Sequence, residues 1–145
     1  MNSVCHIIYN KINENHQWQC LHYLNNGQYE PIRAIDFANR CETMADWLSG
    51  VGQPGDSVII WATNCWQWAV MDIACQLSDR VSVPIYPTAG QDQLTYMFND
   101  TKPTIVCIDH LTVERLEFLR TIDSIQTIVP IFSVEKRPGD GSVSD

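Results

Sequence analysis

Positive charge is scarce in this sequence: of its 145 residues nine are Lys or Arg, against seventeen Asp or Glu, for a formal charge of -8. The nine cations are also scattered. That deficit disfavours non-specific binding to nucleic acid or to anionic membranes, both of which draw on clustered cations. No run of eighteen apolar residues is present to cross a bilayer. The start, Met1-Asn2-Ser3-Val4-Cys5-His6, lacks the basic segment that precedes the apolar core of a secretion signal. Lysine occurs only as Lys11, Lys102 and Lys136, so no Gly-Lys-Ser or Gly-Lys-Thr phosphate loop can be drawn. Cys-x-x-Cys pairs are missing too, which argues against structural zinc. Six cysteines, at 5, 20, 41, 65, 75 and 107, are widely spaced in mostly apolar runs. They read as reduced, buried thiols of a cytoplasmic protein rather than as a disulfide framework. There is no internal repeat and no coiled coil.

What is present suits a folded body. Hydrophobic residues make up 45% of the chain, with five Trp and four Phe as bulky core material. A chain of this length buries roughly two thirds of its extended surface in one domain. Val4, Ile8 and Ile12 recur at helical spacing, and that helix ends near Asn13-Glu14-Asn15. Trp18 to Leu24 and Tyr29 to Ala34 read as strands of a hairpin around Asn25-Asn26-Gly27-Gln28, where Asn-Gly tolerates positive φ. Pro31 places the second strand at an edge, so the hairpin is expected to attach at a sheet margin.

From Asp36 the period lengthens. Phe37, Cys41, Met44 and Leu48 line one helix face, with Asp36 as N-cap and Gly50 or Gly52 as exit. Helices are also expected at 68–77, 91–99 and 113–120. Short apolar strands fall at 57–61, 81–86, 104–108 and 127–132. The fold class is therefore α/β: a mostly parallel sheet with helices on both faces, joined by right-handed crossovers, plus the N-terminal β-hairpin. Residues 1–134 form the domain and 135–145 a flexible polar tail.

Several residues invite a chemical reading, and each has a plainer one. Gly50, Gly52 and Gly55 lie between a helix and a strand, the reverse of a phosphate loop, and read as helix exit and turn. Cys20 and His22 share a strand face near Cys5, His6 and His16, yet without paired ligand spacing they read as ordinary surface or core. Cys107, Asp109 and His110 sketch a nucleophile site, which sequence proximity alone does not establish. Asn64 stands where open α/β sheets present functional loops; it reads first as a helix cap for Cys65-Trp66-Gln67. Trp61, Trp66 and Trp68 suggest a ligand cage or, more simply, core packing. Pro84 and Pro87 mark a strand reaching its end, with Thr88 or a neighbour capping the helix that begins near Gln91. No catalytic, cofactor-binding or metal-binding residue is assigned.

Four stretches together carry a further pattern: Gly52-Gln53-Pro54-Gly55-Asp56-Ser57-Val58-Ile59-Ile60, Asn64-Cys65-Trp66-Gln67-Trp68, Val83-Pro84-Ile85-Tyr86-Pro87-Thr88 and Tyr96-Met97-Phe98-Asn99-Asp100. In this order they resemble the amino-terminal region of adenylate-forming (AMP-dependent synthetase/ligase) enzymes. The long-chain fatty-acyl-CoA synthetases are the branch most similar. The resemblance spans about residues 29 to 132. It implies a partial N-terminal domain of an ATP-dependent acid–thiol ligase, whose complete form would use ATP, Mg²⁺ and coenzyme A. The family's phosphate loop, magnesium ligand, ribose-binding aspartate and late lysine all lie downstream of the matched part, so none maps onto a residue here. The expectation is the amino-terminal portion of such a synthetase, from a truncated or split enzyme and inactive alone. The alternative is a non-catalytic interaction domain derived from the same fold, which self-associates or binds a complementary protein segment. Two departures stand out: Asp79-Arg80 replaces the family's Gly-Ala, and Gln67 stands where Glu is common. Arg80 is expected to reach water through a local surface adjustment.

Overall fold

The computed structural model describes residues 4–131, apart from the side chain of His6; the tail expected at 135–145 and the strand end at Phe132 lie outside the described residues. Helix and strand alternate as α1 (Val4–Glu14), β1 (Gln19–Asn25), β2 (Gln28–Arg33), α2 (Ala34–Ser49), β3 (Ser57–Trp61), α3 (Trp66–Leu77), β4 (Val81–Ile85), α4 (Gln91–Thr101), β5 (Ile105–Ile108), α5 (Val113–Arg120) and β6 (Thr127–Pro130). The last four strands form one parallel sheet in the order β4-β3-β5-β6. This is the α/β architecture expected from the apolar runs.

Strand alternation builds two cores. Val58 and Ile60 of β3, with Ile105 and Cys107 of β5, pack under α2 and α3 against Leu48, Met71, Ala74 and Cys75. Ile59 and Trp61, with Val106 and Ile108, face α4 and α5 against Leu94, Phe98 and Leu119. Four of the five β3 residues are buried, and the same is true of all four in β5. Burial of each aliphatic side chain contributes about 1.5–3 kcal/mol, so the two central strands hold the sheet together.

The hairpin departs from expectation. It forms its own two-stranded antiparallel sheet with no ladder to the parallel one. Leu21, Tyr23 and Ile32 instead pack with Cys5 on the outer side of α2 and α3, against Phe37, Cys41, Val70 and Ile73. Its turn is as expected, with Asn26 at φ 49° and Gly27 at φ 80°.

Asp36 is not the N-cap of α2. Strand β2 runs directly into the helix, so the helix begins at Ala34 with Arg33 in the cap position and no side-chain cap bond. The first N–H groups find backbone partners in the segment before the hairpin: Ala34 donates to the Trp18 carbonyl at 2.7 Å and Ile35 to that of His16 at 3.4 Å. Asp36 pairs with Arg33 at 2.7 Å in the first turn.

Pro84 and Pro130 sit on the two edge strands, and the ladder explains how they are tolerated. Val81 N–H donates inward to Asp56, while Thr127 and Ile131 donate inward to Thr104 and Ile108. Alternate residues of a parallel strand face opposite neighbours, so Pro84 and Pro130 face outward. The missing N–H costs the sheet nothing there and blunts each edge against another strand.

Arg80 overturns the expectation of a solvent-reaching side chain. Its side chain is 1% exposed. The α3 helix ends at Leu77, Asp79 takes the left-handed conformation at φ 55°, and Arg80 N–H returns to the Cys75 carbonyl at 2.8 Å. The guanidinium thereby points inward beneath the turn between α2 and β3. It donates to the carbonyls of Leu48 at 2.9 Å, Val51 at 2.7 Å and Gln53, and lies 3.5 Å from Asp56. Asp56 also accepts the Gln53 N–H at 2.8 Å. Gly52, at φ 70°, leaves the room required, since a Cβ there would stand 2.5 Å from the Asp56 carboxylate. A buried charge with this many partners is stable where a free one is not. Arg80→Ala should lower stability by about 1–3 kcal/mol, because it removes the cation beside Asp56 and one donor each from the carbonyls of Leu48, Val51 and Gln53. Arg80→Lys should recover only part, since an ammonium cannot fork between the carbonyls. Urea unfolding measures both, and an alanine variant as stable as the parent would show that the bonds carry no net weight.

Candidate site at the carboxyl end of the sheet

Beyond β3 the chain turns to α3 on one face of the sheet, and beyond β5 to α5 on the other. Loops that part in this way leave a crevice at the carboxyl ends of the two strands, where open α/β sheets place ligands. Here the crevice holds the carboxylate of Asp109, whose side chain is 1% exposed. Thr63, just past β3, donates to it twice, from its amide at 2.7 Å and its hydroxyl at 2.6 Å. Arg115 of α5 approaches the other oxygen at 3.5 Å. The same guanidinium donates to the carbonyls of His110 at 3.1 Å and Pro87 at 3.2 Å. It also lies 4.3 Å from the Trp61 ring centroid, a favourable place for a cation over an indole. Thr63, Asp109 and Arg115 thus tie together the loops after β3, β4 and β5. Burial opposes ionisation of Asp109, yet the Thr63 hydroxyl and amide, aided by His110, hold its carboxyl below the usual range.

The helix cap expected of Asn64 belongs to the next residue. Asn64 is exposed in the bend, and the Cys65 thiol accepts the Trp68 N–H at 3.4 Å. Thr88 is likewise exposed in a turn, and α4 begins after Gly90 with no side-chain cap. The three tryptophans do not form a cage. Trp61 meets Phe98 and Phe118 edge-on at 6.3 and 6.4 Å. Trp66 lies 6.3 Å from Tyr23, with the Arg40 guanidinium 4.5 Å from its ring, and Trp68 packs beside the α2/α3 core.

The remaining sequence candidates separate. Cys107 is buried under α3, Asp109 is engaged by Thr63, and the His110 ring is 67% exposed and 4.0 Å from Asp109. Cys20 is half-buried against the Ile32 carbonyl, while His16 and His22 are exposed. Among the described residues no three His, Cys, Asp or Glu side chains are grouped to hold a metal ion. Burial is the first cause raising the thiols of Cys41 and Cys75, each to about 12, and it raises Cys107 as well.

Next to this end of the sheet lies an open groove of about 550 Å³, between the middle of α2, the start of α3 and the end of β6. Met44, Val70, Met71, Val129 and Ile131 make its floor apolar, with Arg40 and Thr43 at the rim. A smaller pocket of about 340 Å³ separates α1 and the hairpin from α3. The residues missed by sequence reading are Thr63 and Arg115. The one available signal was a carboxylate placed directly after four apolar strand residues.

Comparison with known proteins places this geometry. Residues 10–141 match the family described as AMP-binding enzyme. Long chain acyl-CoA synthetase 7, peroxisomal, of Arabidopsis thaliana is 37% identical over 108 residues, covering 72% of this chain and 15% of that protein. Long-chain-fatty-acid–CoA ligase FadD15 of Mycobacterium bovis is 29% identical over 84 residues, covering 57% of this chain and 14% of that protein. The chain therefore spans only a small part of these relatives. Among solved structures, the inhibitor-bound N-terminal domain of FACL13 from Mycobacterium tuberculosis superposes with a TM-score of 0.75 at 13% identity, over 90% of this chain and 34% of that one. The fatty acid AMP ligase from Legionella pneumophila gives 0.69 at 17% identity, over 89% of this chain and 23% of that one. At these identities the structures speak to the fold.

Two measurements test the site. Because the native pKa of Asp109 is lowered, its contribution is present above the ordinary carboxylate range and fades as pH falls through the native value. Asp109→Asn should therefore cost about 1–3 kcal/mol at pH 7 and progressively less in acid. An equal deficit at pH 7 and pH 3 would refute the role of the ionised form. Thiol labelling of the native protein should spare Cys41, Cys75 and Cys107 until it unfolds; rapid native labelling of any of the three would contradict their burial.

Proposed function

The chain belongs to the AMP-binding enzyme family, and from that premise we propose that it is the amino-terminal portion of a long-chain fatty-acyl-CoA synthetase, inactive on its own. The observation carrying this reading is the 37% identity to an acyl-CoA synthetase across 72% of the chain, which includes the Val83–Thr88 run. A synthetase must bring an anionic carboxylate to a triphosphate, which takes cations and directed N–H groups in one place. The described residues offer the reverse at the sheet's natural ligand crevice, an ionised Asp109 whose donors and guanidinium are already engaged. In this reading the chain supplies scaffold, and ATP, Mg²⁺ and coenzyme A belong to the complete enzyme. A reducing, cytoplasmic setting is part of the proposal, supported by six free thiols. No described helix is long and apolar enough to cross a membrane.

The second reading, a non-catalytic interaction domain built on this fold, is favoured by one feature. Both edges of the parallel sheet carry an outward-facing proline, Pro84 and Pro130. Sheets that end this way resist extension and suit a body that persists by itself.

The purified chain should catalyse no fatty-acid-dependent exchange between ATP and pyrophosphate and form no acyl-CoA. Loss of a single electrostatic donor costs about 3–4 kcal/mol in such chemistry, and here the whole set would be supplied elsewhere. Exchange activity that follows the chain through purification and survives depletion of host synthetases would reject the inactive-alone reading.

A further inference from the structure

We propose that Cys5 of α1 and Cys41 of α2 are a dithiol pair that closes to a disulfide by exchange with a low-molecular-weight disulfide, pinning α1 to α2. The pair lies in the layer outside the sheet, away from the ligand crevice, and does not depend on the synthetase reading. Helix register brings the two residues together. The Tyr9 hydroxyl of α1 donates to the Ala38 carbonyl of α2 at 3.5 Å. One turn further along α1, Ile12 packs in one cluster with Ala34 and Ala38; one turn back, Cys5 packs in one cluster with Cys41. Contacts thus advance along α2 as they retreat along α1, so the two helices run antiparallel and Cys5 comes opposite Cys41. Ala34, Ala38 and Cys41, all buried, give α2 a small-residue surface at this contact. Small side chains let helix axes draw close, toward the Cα separation of about 4.4–6.8 Å that a disulfide spans. Burial is the first cause raising the Cys41 thiol, and nearby Cys5 is the second, ahead of Cys20.

While α1 is seated both thiols are buried and slow to react. Among the described residues, however, the α1 backbone makes no hydrogen bond to another helix or strand. Side chains hold it, among them Tyr9 on Ala38 and the Cys5 thiol on Gln76 at 3.5 Å, while Val4 and Ile7 face outward and are exposed. An element attached in this way opens locally at much lower cost than the sheet unfolds. Opening carries Cys5 into water and uncovers Cys41. The Cys5 thiolate then attacks one sulfur of the small disulfide, whose S–S bond breaks and whose other half departs as a thiolate. As α1 reseats, the Cys41 thiolate attacks the Cys5 sulfur of the mixed disulfide and expels the second half. Two protein thiols are oxidised to one disulfide, the small disulfide is reduced to two thiols, and the two cysteine protons pass to them. An excess of the small thiol drives the exchange back, so the state of the pair follows the redox poise around it.

The test incubates the folded 145-residue chain in buffers of graded reduced-to-oxidised glutathione ratio, blocks the remaining thiols and maps the links by mass spectrometry. Trypsin with a glutamate-specific protease places Cys5, Cys20 and Cys41 on separate peptides. The expected result is one intramolecular link, Cys5 to Cys41, in the oxidising buffers. It should raise the thermal unfolding midpoint by about 5–10 °C, and dithiothreitol should reverse the rise. Cys5→Ser and Cys41→Ala should each abolish the link and the shift, whereas Cys20→Ser should keep both. Each variant is compared with its own reduced form, so that any loss of packing cancels. A link through Cys20, glutathione retained on Cys5 without the link, or no reaction in any buffer overturns the proposal. So does a Cys5–Cys41 link that forms only in urea, which would make it a product of the unfolded chain. A link that leaves the midpoint unchanged or lowers it also overturns the proposal, because closure would then distort the helix pair rather than pin it.

Discussion

Strand β3 is hydrogen-bonded along both edges and buried on both faces, and the rest of the molecule is arranged around that constraint. Its pairing with β4 and β5 admits no slip, because a shift of one residue would exchange Val58 and Ile60 with Ile59 and Trp61 between two cores of different shape. The ends of such a strand are the hard part. There the backbone leaves the ladder while still enclosed, and its polar groups need new partners. The structure answers with a buried charge near each end, of opposite sign. On the approach to β3 the exposed groups are carbonyls, at Leu48, Val51 and Gln53, and the Arg80 guanidinium donates to all three. On the exit they are donors, the amide and hydroxyl of Thr63, and the Asp109 carboxylate accepts both.

Each charge has a partner that limits its cost, Asp56 for Arg80 and Arg115 for Asp109. Neither pair would be favoured as an isolated buried ion pair, since desolvation commonly exceeds the Coulomb gain. Their value lies in the backbone and side-chain groups they satisfy. That requirement selects arginine over lysine at position 80, because three carbonyls in different directions ask for a planar fork of donors. It also explains why a residue that departs from the family's small Ala can sit in the interior. The turn has closed around the side chain, helped by Gly52 and by the left-handed backbone of Asp79, whose carbonyl accepts the Gly55 N–H at 2.6 Å.

The order of elements was legible because periodicity is local. Helix 113–120 and strand 57–61 fall where the residue pattern puts them, and the Asn26-Gly27 turn follows from the dihedral freedom of those two residues. What went unread depends on distant partners. Asp36 and Asn64 have the right chemistry for caps, but α2 was capped by carbonyls from the segment before the hairpin and α3 by the neighbouring Cys65. The burial of Arg80 required knowing that carbonyls some thirty residues earlier would converge on it. Asp109 was noticed for its proximity to Cys107, but Cys107 is enclosed in the α2/α3 core, whereas Asp109 lies past the end of β5 and is held by Thr63. Its actual partner, Thr63, lies 46 residues away in sequence and becomes adjacent only when β3 and β5 pair.

These long-range bonds bear directly on what this part of the fold can do. In an open α/β sheet the divergence of loops between neighbouring strands creates a ligand crevice without further specialisation. Here the crevice after β3 and β5 is committed to holding the framework together, and the carboxylate that fills it would repel a triphosphate. Opening it to a nucleotide would require Thr63 to give up Asp109 and Arg115 to leave Pro87 and Trp61, which would loosen three loops at once. Rigidity at the strand ends and anion binding between them are competing uses of the same few atoms. The sequence has chosen rigidity at this position, where the donors of Thr63 and the Arg115 guanidinium are already engaged by groups of the framework rather than turned toward an anion.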